Sequence, residues 1–354
     1  MKSIEKISQE VYRIEIPIPI PALRYVNTYV IEDEEKVILI DTGMPVKSSL
    51  EILENSLNTI GLDINKISII IITHLHIDHI GGAYYIKKNS GASIYLSEKE
   101  RGYIEYIINK LVRARQDVYE EFLLKTGTPI NIIKKIVDIL RISYIYPDVY
   151  SDATRNIGLY DGDKISIKKE SYLKIITTPG HSPDHICIYY EDRKLLFTGD
   201  HVLPKITPNI RAPLTEEDSL DEYLRSLDKI SDIHVEMYLP GHGNPSRTLK
   251  NRIEELKRHC IDRLIEVATA ISDFPKSIYE IAGKVTWDLN IPWEDFPPIQ
   301  IFFAVSETMA YVNYLFKRGF AEKIIDENLN KYKLVRGKDI EGIEKILKKK
   351  ILGL

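Results

Sequence analysis

Cysteine is almost absent from this chain: Cys187 and Cys260 are the only two among 354 residues. Two thiols are too few for a disulfide framework and show no thiolate metal spacing, so both read as small buried apolar groups. Long apolar runs are missing too. None approaches the 18 residues a membrane-spanning helix needs, and Met1 to Lys6 lead into no apolar stretch of the signal-peptide kind. The expectation is a cytoplasmic protein with no membrane partner. Charge of one sign is not in excess either, since 48 Lys and Arg stand against 52 Asp and Glu, a net of −4. That balance gives no global attraction to nucleic acid or an anionic membrane. Glutamine is scarce while Ile, Lys and Glu abound, a composition pointing to a thermophilic source. Core-forming material is plentiful at 44% hydrophobic residues, and the length suits one large and one small domain.

One stretch stands apart: Thr73-His74-Leu75-His76-Ile77-Asp78-His79-Ile80-Gly81-Gly82. It follows the apolar run Ile69 to Ile72, which reads as a strand buried on both faces, so the polar residues emerge together at its end. His74 and His76 are two positions apart, and in extended backbone both imidazoles project to one side. Asp78 and His79 come where the chain turns into a helix, and the two glycines permit close backbone packing. A catalytic zinc usually takes three protein ligands and a water, so four potential ligands in this short motif point to two metals side by side.

Three more segments have the same design. His181 lies in Thr178-Pro179-Gly180-His181-Ser182-Pro183-Asp184-His185, beyond the strand-like Lys174-Ile175-Ile176. Asp200 ends Leu195-Leu196-Phe197-Thr198-Gly199-Asp200, and His242 lies in Leu239-Pro240-Gly241-His242-Gly243. Each sits where a buried strand meets a glycine-containing loop, the position expected of functional residues on a rigid scaffold.

With these residues in view the chain resembles the metallo-β-lactamase fold superfamily, and within it the glyoxalase II-like hydrolases, over roughly residues 10 to 245. The pattern His-x-His-x-Asp-His, then His, Asp and His, is matched at every position. The resemblance implies that His74, His76 and His181 bind one metal. It implies that Asp78, His79 and His242 bind a second, that Asp200 bridges them, and that Asp41 in Leu39-Ile40-Asp41-Thr42-Gly43 supports the site from behind. It also implies a catalytic role for Asp78 in orienting the nucleophile. True β-lactamases lack the bridging Asp, so antibiotic hydrolysis is not expected. The di-iron oxygen reductases of the fold usually carry Glu where this chain has His76, and bring a flavin domain.

A ligand set of nitrogen and oxygen without thiolate admits Zn, Fe or Mn, with Zn the default cofactor for the two divalent sites. Two such ions can lower the pKa of a shared water toward neutrality, and the hydroxide attacks a carbonyl carbon while the oxyanion is stabilised. The expected substrate is a small-molecule ester, a thioester of hydroxyacylglutathione type or a lactone. Phosphodiester cleavage, as in nuclease relatives, is the alternative, and persulfide dioxygenase-type redox chemistry ranks below both. Basic residues for glutathione are not recognisable in this C-terminal region. His185 and His201 lie near the ligands and stand as proton donors, supporting groups or structural residues.

The order of elements, β-rich then αβ twice over, predicts an α+β fold, the αββα sandwich, over residues 1–248. Strands are predicted at 11–18, 28–32, 36–41, 66–73, 93–96, 164–168, 172–178, 186–190, 194–200 and 235–239, with helices over 47–60 and 220–230. Residues 99–150 read as a helical insertion, a candidate lid whose Arg101, Tyr103, Tyr106, Arg113 and Arg115 can contact substrate. Residues 249–354 read as a helical, winged-helix-like domain: a helix over 249–272, a capping box at Ser277-Ile278-Tyr279-Glu280, a helix over 303–317 and a hairpin over 321–334. From Lys250 onward 18 Lys and Arg face 16 Asp and Glu, a net of +2, weak for a nucleic-acid reader. Packing against the catalytic domain or homodimerisation is the expectation. Glu307 is expected to repel a phosphate backbone from the start of the candidate recognition helix, and Lys348-Lys349-Lys350 to form a solvated tail.

Overall fold

Alternating apolar residues build the core of the first unit. Strands β1 (Ile4–Lys6), β2 (Val11–Pro17), β3 (Tyr25–Glu32), β4 (Val37–Ile40), β5 (Ile67–Ile71), β6 (Ser93–Ser97) and β7 (Ile157–Leu159) lie side by side in chain order. Pairings up to β4 are antiparallel and those from β4 onward parallel. Parallel neighbours need crossovers, and α1 (Lys47–Thr59) joins β4 to β5 while α2 (Ile77–Ile80) and α3 (Ala83–Ser90) join β5 to β6. The helix α4 (Glu98–Ile107) follows β6. A second sheet holds β8 (Lys164–Lys168), β9 (Ser171–Thr177), β10 (Ile186–Tyr190), β11 (Leu195–Gly199) and β12 (Met237–Pro240), ordered β12-β11-β10-β9-β8. Val37 and Leu39 pack with Leu53 and Leu57 of α1 and Ile86 of α3. Ile38 and Ile40 point the other way, against Ile175, Ile188 and Phe197 of the second sheet. The side-chain period of two thus makes one sheet serve two cores. This is the sheet-on-sheet α+β architecture that the element order predicts.

The computed structural model describes residues 4–20, 23–33, 36–107, 118–143, 156–168, 170–183, 185–210, 218–326 and 329–354. The chain divides into two units. The first comprises Met1–Asn109, Tyr146–Pro208 and Lys229–Leu249, and the second Lys110–Ile145, Asn209–Asp228 and Lys250–Leu354. Arg113 and Arg115 lie outside the described residues.

In the second unit α5 (Val118–Lys125) and α6 (Ile130–Ser143) share a unit with most of α7 (Ser219–Ser231) and α8 (Leu249–Ala270). Strand β13 (Lys276–Ser277), α9 (Ile278–Ala282) and α10 (Pro298–Lys317) follow, then β14 (Ala321–Asp326), β15 (Leu329–Leu334) and α11 (Ile340–Leu352). The hairpin β14–β15 is extended by β13 into three strands ordered β13-β15-β14. The capping box forms: Ser277 accepts from the Glu280 amide, and Glu280 accepts from the Ser277 amide at 2.7 Å. Thr126 offers its carbonyl to the Tyr279 amide at 3.0 Å, and the Tyr119 ring meets Phe302 edge-on, so the 118–143 helices pack on α9 and α10.

Two expectations are corrected. Residues 340–352 form a helix, capped by Asp339 on the Gly342 amide and ended by Gly353 in the left-handed region, so Lys348, Lys349 and Lys350 are exposed on a helix and not on a tail. Glu307 is buried within α10 and accepts from Asn209 Nδ2 at 2.6 Å, so it presents no charge to a partner.

Burial pushes the Glu307 carboxyl up to about 7, against the opposing Arg263 charge and the Asn209 hydrogen bond. A carboxyl raised above its ordinary value of 4.5 carries no penalty below that pH, and costs stability progressively as pH climbs through about 7. The gap corresponds to about 3 kcal/mol. Glu307→Gln is expected to raise the thermal midpoint at pH 8 and leave it nearly unchanged at pH 5. Equal shifts at both pH values, followed by circular dichroism melts, contradict the ionisation argument.

Candidate metal centre

Four strand ends of the first unit converge on one cluster. The chain leaves β5 through Thr73 and His74, and His76 is the N-cap residue of the short helix α2, which carries Asp78 and His79. That helix is held by Thr42, whose amide and Oγ1 both donate to the His79 carbonyl at 2.8 Å. Gly81 and Gly82 are required behind it. A Cβ on the first would meet Pro45 Cδ at 2.3 Å, and on the second the Thr42 carbonyl at 2.5 Å. His181 follows β9, Asp200 follows β11 and His242 follows β12. The last loop is tied to β3: Asn27 Nδ2 donates to the carbonyls of Pro240 and Gly243, each at 2.8 Å, and Tyr29 Oη to Pro240 at 2.7 Å. Gly241 leaves room for the carboxylate, since a Cβ there would lie 2.4 Å from Asp200 Oδ1.

The seven predicted residues come together as two groups, His74, His76, His181 and Asp200, and Asp78, His79 and His242. Within each group the donor atoms lie within 4.8 Å of one another. All except half-buried His76 are buried. Hydrogen bonds on the far side of three rings set which nitrogen faces inward. His79 Nδ1 donates to Asp41 Oδ2 at 2.8 Å, and His242 Nδ1 to the Tyr25 carbonyl at 2.7 Å. The Thr73 hydroxyl donates to the Asp41 carboxylate at 2.9 Å, so its oxygen accepts from His74 Nδ1 at 3.0 Å. Each Nε2 is thereby aimed at the cluster. Asp41 also takes the Thr73 amide at 2.9 Å, and does so from a left-handed backbone, φ +59°.

The inward atoms approach without satisfying one another. His79 Nε2, His242 Nε2 and Asp200 Oδ1 are buried and make no hydrogen bond, although His79 Nε2 is 3.6 Å from Asp200 Oδ1 and His242 Nε2 is 3.4 Å from Asp200 Oδ2. These separations permit electrostatic attraction, but neither contact is a hydrogen bond. His74 Nε2 and His181 Nε2 lie 2.8 and 3.1 Å from the same atom, His76 Nδ1. One ring proton can bridge one of these contacts and a cation in their midst satisfies all three. Asp200 reaches both groups, its Oδ2 being 3.8 Å from His181 Nε2 as well. Among the described residues the ion-pair partners of Asp41, Asp78 and Asp200 are histidines only. The donor set fits divalent cations: imidazole and carboxylate, convergent, with buried negative charge left to neutralise.

Electrostatics of the protein part agree with this. Burial, together with the His79, His76 and His181 charges, holds His74 well below its ordinary pKa. Burial works downward on His79 and His242 too, but the nearby carboxylates win: His79 is raised well above its ordinary value and His242 to about 10. Burial would raise Asp78 and Asp200, and the same histidines pull both below the ordinary range. Ionised carboxylates thus face the cluster at neutral pH.

Neighbours outside the motifs complete the arrangement, notably Thr42, Thr73, Asn27 and the Tyr25 carbonyl. Thr73 was visible only as the residue before the motif, and a backbone carbonyl leaves no sequence signal. Ser182 hydrogen-bonds the buried carboxylate of Glu100, linking the His181 loop to α4. His185 and His201 are both fully buried beside the cluster.

Residues 21–242 match the model of the Metallo-beta-lactamase superfamily. A Beta-lactamase-like protein 2 homolog of Caenorhabditis elegans is 27% identical over 83% of this chain and 81% of its own length. An Atrochrysone carboxyl ACP thioesterase of Aspergillus fumigatus is 24% identical over 66% of this chain and 55% of the fungal protein. Among solved structures, a metallo-beta-lactamase family protein of Thermus thermophilus aligns with 93% of this chain and 100% of its own, at TM-score 0.74 and 25% identity.

Asp200→Ala is expected to leave the histidines of each group in place while lowering metal content below two per chain and activity by at least roughly 100-fold. Full activity with two metals retained, measured by elemental analysis, contradicts a shared carboxylate.

Proposed function

The chain belongs to the metallo-β-lactamase superfamily, and on that premise we propose that it hydrolyses a small-molecule thioester with two divalent ions, Zn by default. The observation that carries this reading is the convergence of seven donor residues, with His79 Nε2, His242 Nε2 and Asp200 Oδ1 buried without a hydrogen bond and Asp200 in reach of both groups. His74, His76 and His181 would hold one ion and Asp78, His79 and His242 the other, with Asp200 within reach of both groups. Bound divalent ions supply Lewis acidity, which acidifies water and polarises a carbonyl.

The protein's own groups do the rest. Asp78, kept ionised beside His79 and His242, accepts a hydrogen bond from the attacking water and orients it. Asp41 and the Tyr25 carbonyl hold His79 and His242 with their Nε2 atoms inward, so no reorganisation is needed as charge develops. The buried setting strengthens each of these interactions by excluding water. A thioester is favoured among carbonyl esters because a relative carries a thioesterase name. A lactone differs only in its leaving oxygen and shares the same attack. The test is a panel on metal-loaded protein: acyl thioesters, lactones, a nitrophenyl phosphodiester and single-stranded RNA. Thioester or lactone turnover above phosphodiester turnover is expected, and phosphodiester cleavage without carbonyl hydrolysis reverses the assignment.

We also propose that the second unit does not read nucleic acid. Helix α10 is buried on most of its faces, and Arg318 at its end is engaged by Asp218 and Asp221 and stacked on Tyr314. The charge of Arg318 is thus matched internally and is not free to release counterions from a phosphate backbone. The full-length protein should give no gel shift with duplex DNA at about 100 mM salt. A shift that titrates away with added salt overturns this proposal.

A further inference from the structure

We infer that His185 is a positioning residue for Asp200: a neutral imidazole whose Nε2 accepts the Asp200 backbone N–H and so fixes where that carboxylate stands. The inference rests on the reading of Asp200 as the residue shared by the two metal groups. His185 Nε2 lies 3.2 Å from Asp200 N, and a main-chain amide can only donate. Nε2 therefore carries a lone pair, and the ring proton sits on Nδ1, 2.9 Å from Thr178 Oγ1. Thr178 Oγ1 accepts that proton and turns its own hydrogen to the His185 carbonyl at 3.3 Å or the Cys187 sulfur at 3.4 Å. Each donor in this relay thus has an acceptor.

Packing holds the ring in that orientation. It is completely buried and stands beside the His74 and His201 rings, with centroids 5.2 and 5.8 Å away, each tilted by 33°. The Ile186 amide donates to the Thr73 carbonyl at 3.0 Å, and Thr178 N to the His185 carbonyl at 2.7 Å, which ties the base of β10 to the chain beyond β5 and β9. Gly199, the residue before Asp200, completes the clamp. A Cβ there would lie 2.5 Å from His185 Nε2 and 2.8 Å from Thr73 Oγ1, and its φ is +46°. The end of β11 is thus held between Thr73 and His185, and the next side chain is the carboxylate. In the segment His181-Ser182-Pro183-Asp184-His185 the first histidine supplies a donor atom and the last anchors the main chain of another. An Nε2 already committed to accepting, on a ring without access to water, has no proton to deliver, so His185 is not the general acid.

The test begins with wild-type, zinc-loaded, full-length protein labelled with ¹⁵N-histidine. Long-range proton–nitrogen correlation is expected to show His185 as the neutral Nδ1–H tautomer, and an Nε2–H tautomer or an imidazolium overturns the inference. His185→Leu and His185→Gln are then compared for zinc retention against a chelator, with metal-free thermal midpoints as the control for folding. Leu removes the acceptor and is expected to lower zinc retention about 10-fold or more. Gln, whose Oε1 can accept the same amide, is expected to restore most of it. Retention unchanged in the Leu variant, or no better in a folded Gln variant than in Leu, shows that the ring only fills space and overturns the role. A wild-type protein that takes up no divalent metal defeats the metal reading instead, and the tautomer then decides alone whether His185 anchors Asp200.

Discussion

Three carboxylates, those of Asp41, Asp78 and Asp200, lie buried in the first unit with only imidazoles as ion-pair partners among the described residues. An anion in a low-dielectric interior is costly unless positive charge is brought to it, and no Lys or Arg does so among the described residues. The carboxylates raise the pKa of His79 and His242, and the unbonded, inward Nε2 atoms of these two rings point to cations supplying the positive charge. Much of the local architecture follows from this need. Four loops must bring their donors to one place, and hydrogen bonds on the far side turn His74, His79 and His242 inward.

The backbone absorbs the cost of that convergence. Gly81, Gly82, Gly199 and Gly241 stand where any Cβ would overlap a neighbour, and Gly241 makes space for Asp200 itself. Asp41 adopts a left-handed conformation, which costs a residue with a Cβ about 1 kcal/mol or more. That strain is offset by the Thr73 amide, the Thr73 hydroxyl and the His79 ring, all of which donate to its carboxylate. Strain at Asp41 and crowding at the glycines are therefore one device: they keep the donors near each other before any ion arrives, which is what preorganisation requires.

The second unit faces the same rule with different means. Arg318 is matched by Asp218 and Asp221, so its charge is internal. Glu307 has an amide as hydrogen-bond partner, and burial makes it take up a proton more readily. The apolar composition of α10 goes with the burial of most of its residues.

Strands that read as apolar runs were legible in the chain: β4 carries Val, Ile, Leu and Ile in succession and β5 carries Ile at every position but Ser68, and their bounds fall within two residues of the prediction. The capping box at Ser277 and Glu280 was legible because it is a local reciprocal bond. The strands β1 and β7, three residues each, were not, since so short a run shows no period. Helix α11 was not legible although Asp339 and Gly353 bracket it, because its buried stripe, Ile343, Leu347 and Ile351, is narrow among charged neighbours. By itself the sequence determined the chemistry of the candidate site, for ligand types and their spacing are written in single short motifs. Only the tertiary structure decided which nitrogen of each histidine faces inward, how Asp200 is held, that Glu307 is buried, and which separated stretches of chain cluster together. Those depend on contacts between residues far apart in the chain, such as Tyr25 with His242 or His185 with Asp200, and no local pattern encodes them.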